Sequence, residues 1–200
     1  MKKRCLIICV LCALIIAVAG PAMAYDPLTI FTYNMAEPLG ELKETTPDFS
    51  WRGWAFEYRS FLRDQLSLGF SFGWQGFSSM ESGTFTDGSI TASGTYIHYV
   101  NSFPIMATGH VYTGDPGGFR LYGGLGVGTF YIKERFSFGT AQFYDNHWHF
   151  GLVPEAGVML PLGGSLWNLL GNVTYNYAFG TSNSDSISYV GFNVGFAFEN

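Results

Sequence analysis

Past residue 24 the chain has no cysteine; Cys5, Cys9 and Cys12 all lie near its start. A segment without thiols forms no disulfide and offers neither a thiolate nucleophile nor a Cys metal ligand. Charge is also scarce. Asp, Glu, Lys and Arg make up 12% of the residues, about half the ~25% of an ordinary soluble domain. The net charge is -5 with only 10 Lys and Arg and no basic run, which excludes the positive patch of a nucleic-acid binder. Long apolar runs are missing too. Nothing past residue 24 approaches the roughly 18 consecutive apolar residues that a spanning helix needs.

Aromatic residues and glycine are plentiful. Phe, Tyr and Trp are 18% of the chain, and there are 26 Gly. That composition excludes a disordered polymer, which is polar and poor in aromatics. A length of 200 residues suits one domain. Low charge with many aromatics implies an outer surface that does not face water.

Residues 1–24 read as a cleavable secretory signal peptide. Lys2, Lys3 and Arg4 precede the apolar run Cys5 to Ala19; Gly20 and Pro21 break it, and Ala22-Met23-Ala24 is a small-residue cleavage site. The mature chain is expected to begin at Tyr25. Losing three cations takes the net charge from -5 to -8.

The period past the leader is 2, the period of a strand. Leu66, Leu68, Phe70, Phe72 and Trp74 alternate with Ser67, Gly69, Ser71, Gly73 and Gln75. Trp54, Phe56 and Tyr58 oppose Gly53, Ala55, Glu57 and Arg59. Similar runs begin near Leu121, Phe150, Trp167 and Val190. One face is bulky and apolar. The other carries Gly, Ser and Asn rather than the Lys and Glu of a sheet wetted by bulk solvent. The runs, at about 10 to 14 residues, suit tilted strands that cross a membrane.

The breaks alternate in length. Leu62–Gln65, Gly114–Gly118 and Pro161–Ser165 read as tight turns; Ser78–Gly94, Phe136–Asn146 and Gly180–Ser186 read as longer loops. Short periplasmic turns and longer external loops mark an outer-membrane barrel. Seven runs lie between Trp51 and Phe198. Leu28–Ala36 supplies an eighth, with Pro38–Phe49 as the first external loop and both termini periplasmic. A sheet in hydrocarbon must close on itself to pair its backbone, and eight strands leave an interior that side chains fill. Trp51, Trp54, Trp74, Trp148, Tyr131, Tyr175 and Tyr189 are candidates for interfacial girdles.

These features resemble the eight-stranded outer-membrane β-barrel family, the group of the OmpA transmembrane domain, OmpX and the OmpW-like porins. The resemblance rests on Arg52-Gly53 through Glu57-Tyr58-Arg59, Leu66-Ser67-Leu68-Gly69, Leu121-Tyr122-Gly123-Gly124-Leu125-Gly126-Val127-Gly128, and the aromatic alternation ending at Phe198. It covers residues 25–200. Such barrels often end on an aromatic residue; here Glu199 and Asn200 follow Phe198. The resemblance implies an all-β, up-and-down transmembrane barrel of a Gram-negative-type bacterium, working as a monomer. Outer-membrane lipid, lipopolysaccharide and the barrel-insertion machinery are its expected partners. A structural or surface-interaction role is expected. The alternatives are a narrow OmpW-like channel or carrier for small hydrophobic molecules, and a lipid-modifying enzyme.

No cofactor, metal or catalytic residue is expected. Gly124-x-Gly126-x-Gly128 lacks the helix and Lys-Ser/Thr of a phosphate loop. His147 and His149, with Asp145, share one side of a strand but fall short of three ligands in fixed geometry. His98, His147 and His149 have no hydrolase motif around them, and Ser182, Ser184, Ser186 and Ser188 have no neighbouring His. The inward charges are more informative. Parity turns Glu57, Arg59, Arg120 and Glu155 into the lumen, with His110 beside them. Buried charges persist when paired, so these residues are expected to form a lumenal polar network fringed by Asn172, Asn176 and Asn193, with Arg59 as counter-ion to Glu57 and Glu155.

Overall fold

Among the described residues the alternation is realised as eight antiparallel strands and one short helix: β1 (Leu28–Leu39), α1 (Gly40–Thr45), β2 (Arg52–Arg63), β3 (Leu66–Asp87), β4 (Ile90–Tyr112), β5 (Arg120–Phe138), β6 (Ala141–Pro161), β7 (Trp167–Ala178) and β8 (Ile187–Glu199). The computed structural model describes residues 27–87, 90–138, 141–163, 166–182 and 184–199. The leader, its cleavage site and Tyr25 lie outside the described residues. Each strand pairs with its sequence neighbour, and β1 closes on β8 with Leu28 opposite Glu199 and Leu39 opposite Ser188.

The two faces separate as the alternation predicts. On β3, Ser67 is fully buried while Phe70 is 50% exposed. Outward Phe31, Phe72, Ile105, Leu125, Val127, Phe150, Val173 and Phe196 are exposed around the perimeter. From Leu121 to Tyr131 the outer face of β5 is free of charge. At about 3.3 Å per residue and a tilt near 40°, that stretch spans roughly 25 Å, the height of a barrel's lipid-facing band. A soluble protein does not leave such a continuous apolar sheath in water. Fold and sheath together define an eight-stranded transmembrane β-barrel.

One end carries both termini and the short turns. There Gly114 (φ 83°) and Gly117 (φ 76°) take left-handed backbone between β4 and β5, a conformation that a Cβ disfavours. The other end differs from the sequence reading. Ser78–Gly94 and Phe136–Asn146 are not loops: β3 and β4 stay paired to Asp87 opposite Ile90, and β5 and β6 to Phe138 opposite Ala141. Outside hydrocarbon a hairpin needs no apolar face, and Thr84, Thr86, Thr91 and Thr95 are β-branched residues at home in strands. The four strands β3–β6 therefore rise beyond their neighbours as two hairpin ribbons joined edge to edge, β4 pairing with β5 up to Tyr96 opposite Phe138. Pro38–Phe49 is only partly a loop. β1 runs to Leu39, α1 follows, and Leu42 is buried in the barrel mouth.

Among the candidate girdle residues, Trp148 is exposed on the outer face and packs on Tyr131 at 4.8 Å, and Trp51, just before β2, is exposed. Tyr189 is not among them. It lies on the odd, inward face of β8, is 3% exposed and packs edge-on to Phe77 at 5.2 Å.

Candidate functional site

The lumen is layered. Nearest the turns, Phe61, Tyr112, Tyr122, Met159 and Leu170 belong to one buried apolar cluster. Nearest the ribbons, Leu42, Phe77, Val100, Phe130, Ile132 and Tyr189 belong to a second. Inward aromatics at Phe77 and Phe130 interrupt the small-residue pattern of their faces, so the interior is more apolar than the sequence reading expects.

Between the layers, Arg59 from β2 crosses the lumen fully buried. Its Nη2 donates to Glu57 Oε2 at 2.8 Å and to Glu155 Oε1, on β6, at 2.9 Å. Its Nη1 donates to the Tyr112 hydroxyl at 2.9 Å, and its guanidinium lies 4.6 Å over the Tyr122 ring. His110 Nε2, from β4, is 2.7 Å from Glu155 Oε1 and 3.5 Å from Glu57 Oε1. Thr108 Oγ1 donates to Glu57 Oε1 at 3.0 Å. The two carboxylates and Arg59 carry one excess negative charge, and the His110 ring stands against both carboxylates.

An amide chain extends from this cluster. Asn172 Nδ2 donates to the Tyr122 hydroxyl at 3.0 Å and stands 3.4 Å from Glu155 Oε2; Asn193 Nδ2 donates to Asn172 Oδ1 at 2.6 Å. Asn176 Nδ2 donates to Thr174 Oγ1 at 3.0 Å. Above it lies a cavity of about 80 Å³, bounded by Glu57 and Glu155 on one side and Tyr189 on the other, with Thr32, Ser71 and Gln75 in its wall. That is room for a few waters.

The structure thus brings Glu57, Arg59 and Glu155 together and adds Thr108, Tyr112 and Tyr122. Arg120 lies nearer the turns and meets the cluster through the Tyr112 ring rather than through a carboxylate. It donates to the Asp64 carbonyl and stacks over Phe61 at 5.4 Å and Tyr112 at 4.8 Å, at the turn end. Parity places a residue on a face but not at a depth, so the sequence could not separate Arg120 from Arg59. The tyrosines are legible only in part: the alternation from Leu121 puts Tyr122 on the inner face, but nothing in its pattern marks it as a partner of Arg59.

Ligand atoms of Glu57, His110 and Glu155 lie within 4.8 Å of one another, a spacing that could hold a metal ion. The Arg59 guanidinium bonds to both carboxylates and takes the place of a cation there. Gly124 explains the neighbouring glycine run. A Cβ at that position would overlap the His110 ring, 2.8 Å from Nε2, and come within 3.1 Å of Glu155 Cγ.

The other histidines are engaged elsewhere. His98 packs edge-on to Phe136 at 4.6 Å, His149 Nδ1 is 2.9 Å from the Phe179 carbonyl, and His147 Nε2 lies 3.0 Å from Asp145 Oδ2. Asp145 stands in the ribbon beyond the lipid-facing band. The hydrogen bond from His147, and then the Asn146 backbone N–H at 2.8 Å, hold its carboxyl below the usual carboxylate range.

The closed barrel is shared with solved outer-membrane proteins. Neisserial surface protein A aligns over 88% of this chain and 99% of its own, at 13% identity and a TM-score of 0.55. The attachment invasion locus protein Ail of Yersinia pestis, in complex with the heparin analogue sucrose octasulfate, aligns over 88% of this chain and 97% of its own, at 14% identity and a TM-score of 0.52. OprG from Pseudomonas aeruginosa gives 15% identity over 88% of this chain and 97% of its own, with a TM-score of 0.50. At these identities the likeness is one of fold. No protein-family model and no curated protein sequence matches the chain significantly.

Proposed function

We propose that this chain is an integral outer-membrane barrel of a Gram-negative-type bacterium with a closed lumen, non-enzymatic, acting structurally or through the surface raised by its ribbons. The observation that carries the reading is the Arg59 cluster spanning the lumen between two apolar layers. A water-filled path would have to break the ion pairs and displace Phe77, Phe130 and Leu42. The leader supports secretion across the inner membrane. The short turns and both termini then belong to the periplasm, and the ribbons to the exterior. Insertion by the barrel-assembly machinery and a monomeric state complete the reading.

Planar-bilayer recording tests it. The refolded protein is expected to give no conductance steps, and steady conductance by the parent protein overturns the closed-lumen reading. A second reading, a carrier for small hydrophobic molecules, draws on one observation. A hollow of about 600 Å³ opens on the lipid-facing side of β5–β8, lined by Leu121, Ala156, Val158, Gly171, Val173 and Phe192. Uptake of an apolar solute by liposomes carrying the protein favours that reading.

A further inference from the structure

Seven Lys and Arg residues follow the leader. Arg59 and Arg120 are buried in the lumen. Arg63 ends β2 beside a short turn, and Lys43 pairs with Glu37 at 2.7 Å. The other three, Arg52, Lys133 and Arg135, share one place on the barrel: the outward face of β2–β6 at the ribbon end.

The register sets them in rows. Phe103 pairs with Tyr131, and Tyr131 with Trp148, making an aromatic row. The next outward row runs Arg52, Gly76, Asn101, Lys133, Asn146 across five strands. The row above runs Ser78, Tyr99, Arg135, Tyr144. Lys133 Nζ leans back over the Phe103 and Tyr131 rings at 5.8 and 5.3 Å, Arg135 stacks over Tyr99 at 4.4 Å, and Arg52 Nη2 donates to Ser78 Oγ at 2.9 Å. Trp74 Nε1 donates to Asn101 Oδ1 at 3.0 Å, which turns the amide nitrogen of Asn101 away from the indole. At Gly76 a Cβ would come 2.8 Å from Trp74 Cζ2, so the absence of a side chain lets the indole lie across the row.

Of the carboxylates on these strands whose side chains the structure describes, none faces outward: Glu57 and Glu155 lie in the lumen, and Glu134 and Asp145 line the mouth. The face therefore presents three cations and amide donors, without an internal counter-ion, one strand step above the aromatic row. Aromatic rows settle at the level where acyl chains meet headgroups, so the cations lie at headgroup depth. Their stacking holds them against the wall at reduced conformational cost.

We propose that this face binds the phosphate of a membrane lipid headgroup in the leaflet at the ribbon end, the acyl chains lying on the aromatic row and the sheath below. The inference rests on the transmembrane reading and adds a specific lipid chemistry on one side of the perimeter. Lipid attraction of about 1 kcal/mol per cation near the surface corresponds to roughly fivefold in affinity each, on the order of a hundredfold for three.

The test uses the full mature chain refolded in phosphatidylcholine nanodiscs. Correct folding there, scored by heat-modifiable migration, tests the parent reading alone. Lipid A is then titrated in and retained lipid counted by native mass spectrometry. The parent protein and Arg63→Gln are expected to retain phosphorylated lipid A equally. The triple variant Arg52→Gln, Lys133→Gln, Arg135→Gln is expected to bind it on the order of a hundredfold more weakly. Lipid A stripped of its phosphates is expected to bind the parent no better than the triple variant. Equal retention by the triple variant, or by the phosphate-free lipid, overturns the proposal. Full displacement by inorganic phosphate overturns the assignment to a lipid, because a free anion would then suffice.

Discussion

Arg59 and Glu155 stand on diametrically opposite walls of the barrel, β2 and β6, and meet at 2.9 Å in its lumen although 96 positions separate them in the chain. Neither strand pairs with the other, so the contact forms only when the barrel is closed. The ion pair is a fastening across the lumen. Breaking a buried pair on one side typically costs about 3 to 5 kcal/mol, less where lumenal water reaches the orphaned group. Arg59→Ala is expected to lose stability on that scale in urea unfolding from lipid. Adding Glu57→Gln is expected to recover part of the loss, since it removes one of the two unbalanced carboxylates. A double-mutant cycle with no coupling separates the residues.

The glycine beneath His110 gives a second expectation. Gly124→Ala adds one methyl where the imidazole already lies. Overpacking of this kind costs about 1 to 3 kcal/mol, and the ring must shift away from Glu155. Unfolding midpoints should fall for Gly124→Ala and stay near the parent for Gly123→Ala. Gly123 sits on the other face, with only the Glu155 carbonyl, 3.8 Å from an added Cβ, nearby.

Charge on the sheath should be punished by depth. Phe70 is half exposed to lipid on β3 and Ser71 faces the lumenal cavity. Phe70→Arg is expected to destabilise by about 2 to 4 kcal/mol, the cost of an arginine near the bilayer midplane. Ser71→Thr adds a methyl beside free volume and should be mild. Equal losses at the two positions in the same lipid would reverse the assignment of faces.

The Asp145 carboxyl titrates below its usual range because His147 and the Asn146 N–H bond to the ionised form. A lowered folded-state value stabilises the fold above the ordinary Asp value of about 3.9. The contribution disappears as pH falls through the lowered value. Carbon-detected NMR titration should place the Asp145 midpoint below that of a free Asp, and His147→Ala should move it back up. An unmoved midpoint in the variant removes His147 as the cause.

Most of the barrel was legible because lipid and lumen impose opposite demands on alternate residues. Leu66 to Gln75 shows this plainly: each side chain fits one solvent only. Beyond the membrane that constraint ends. Ser78 and its successors look like loop residues to a reading based on hydrophobic alternation, yet their backbone keeps pairing. In the lumen, parity marked Glu57, Arg59 and Glu155 as inward. It could not give the height that parts Arg120 from them. Tyr189 shows the same limit from the other side, since an aromatic near a strand end belongs to a girdle only if it also points outward.

The points where neighbouring strands stop pairing have a meaning of their own. β2 leaves β3 at Gly76, and β7 leaves β6 at Gly151, with one further bond from Phe179 N–H to the Phe150 carbonyl. Both departures fall beside the aromatic row of Trp74, Tyr131 and Trp148. Hydrocarbon leaves no amide unpaired, whereas water solvates a bare edge, so the cylinder opens into a half-pipe as soon as solvent is available. The protein marks its waterline twice, once in indole and phenol rings and once in peptide groups. Among the β3 amides that point toward β2, hydrogen exchange should show the second mark as a step from slow to fast at Gly76, while those paired with β4 stay slow beyond it.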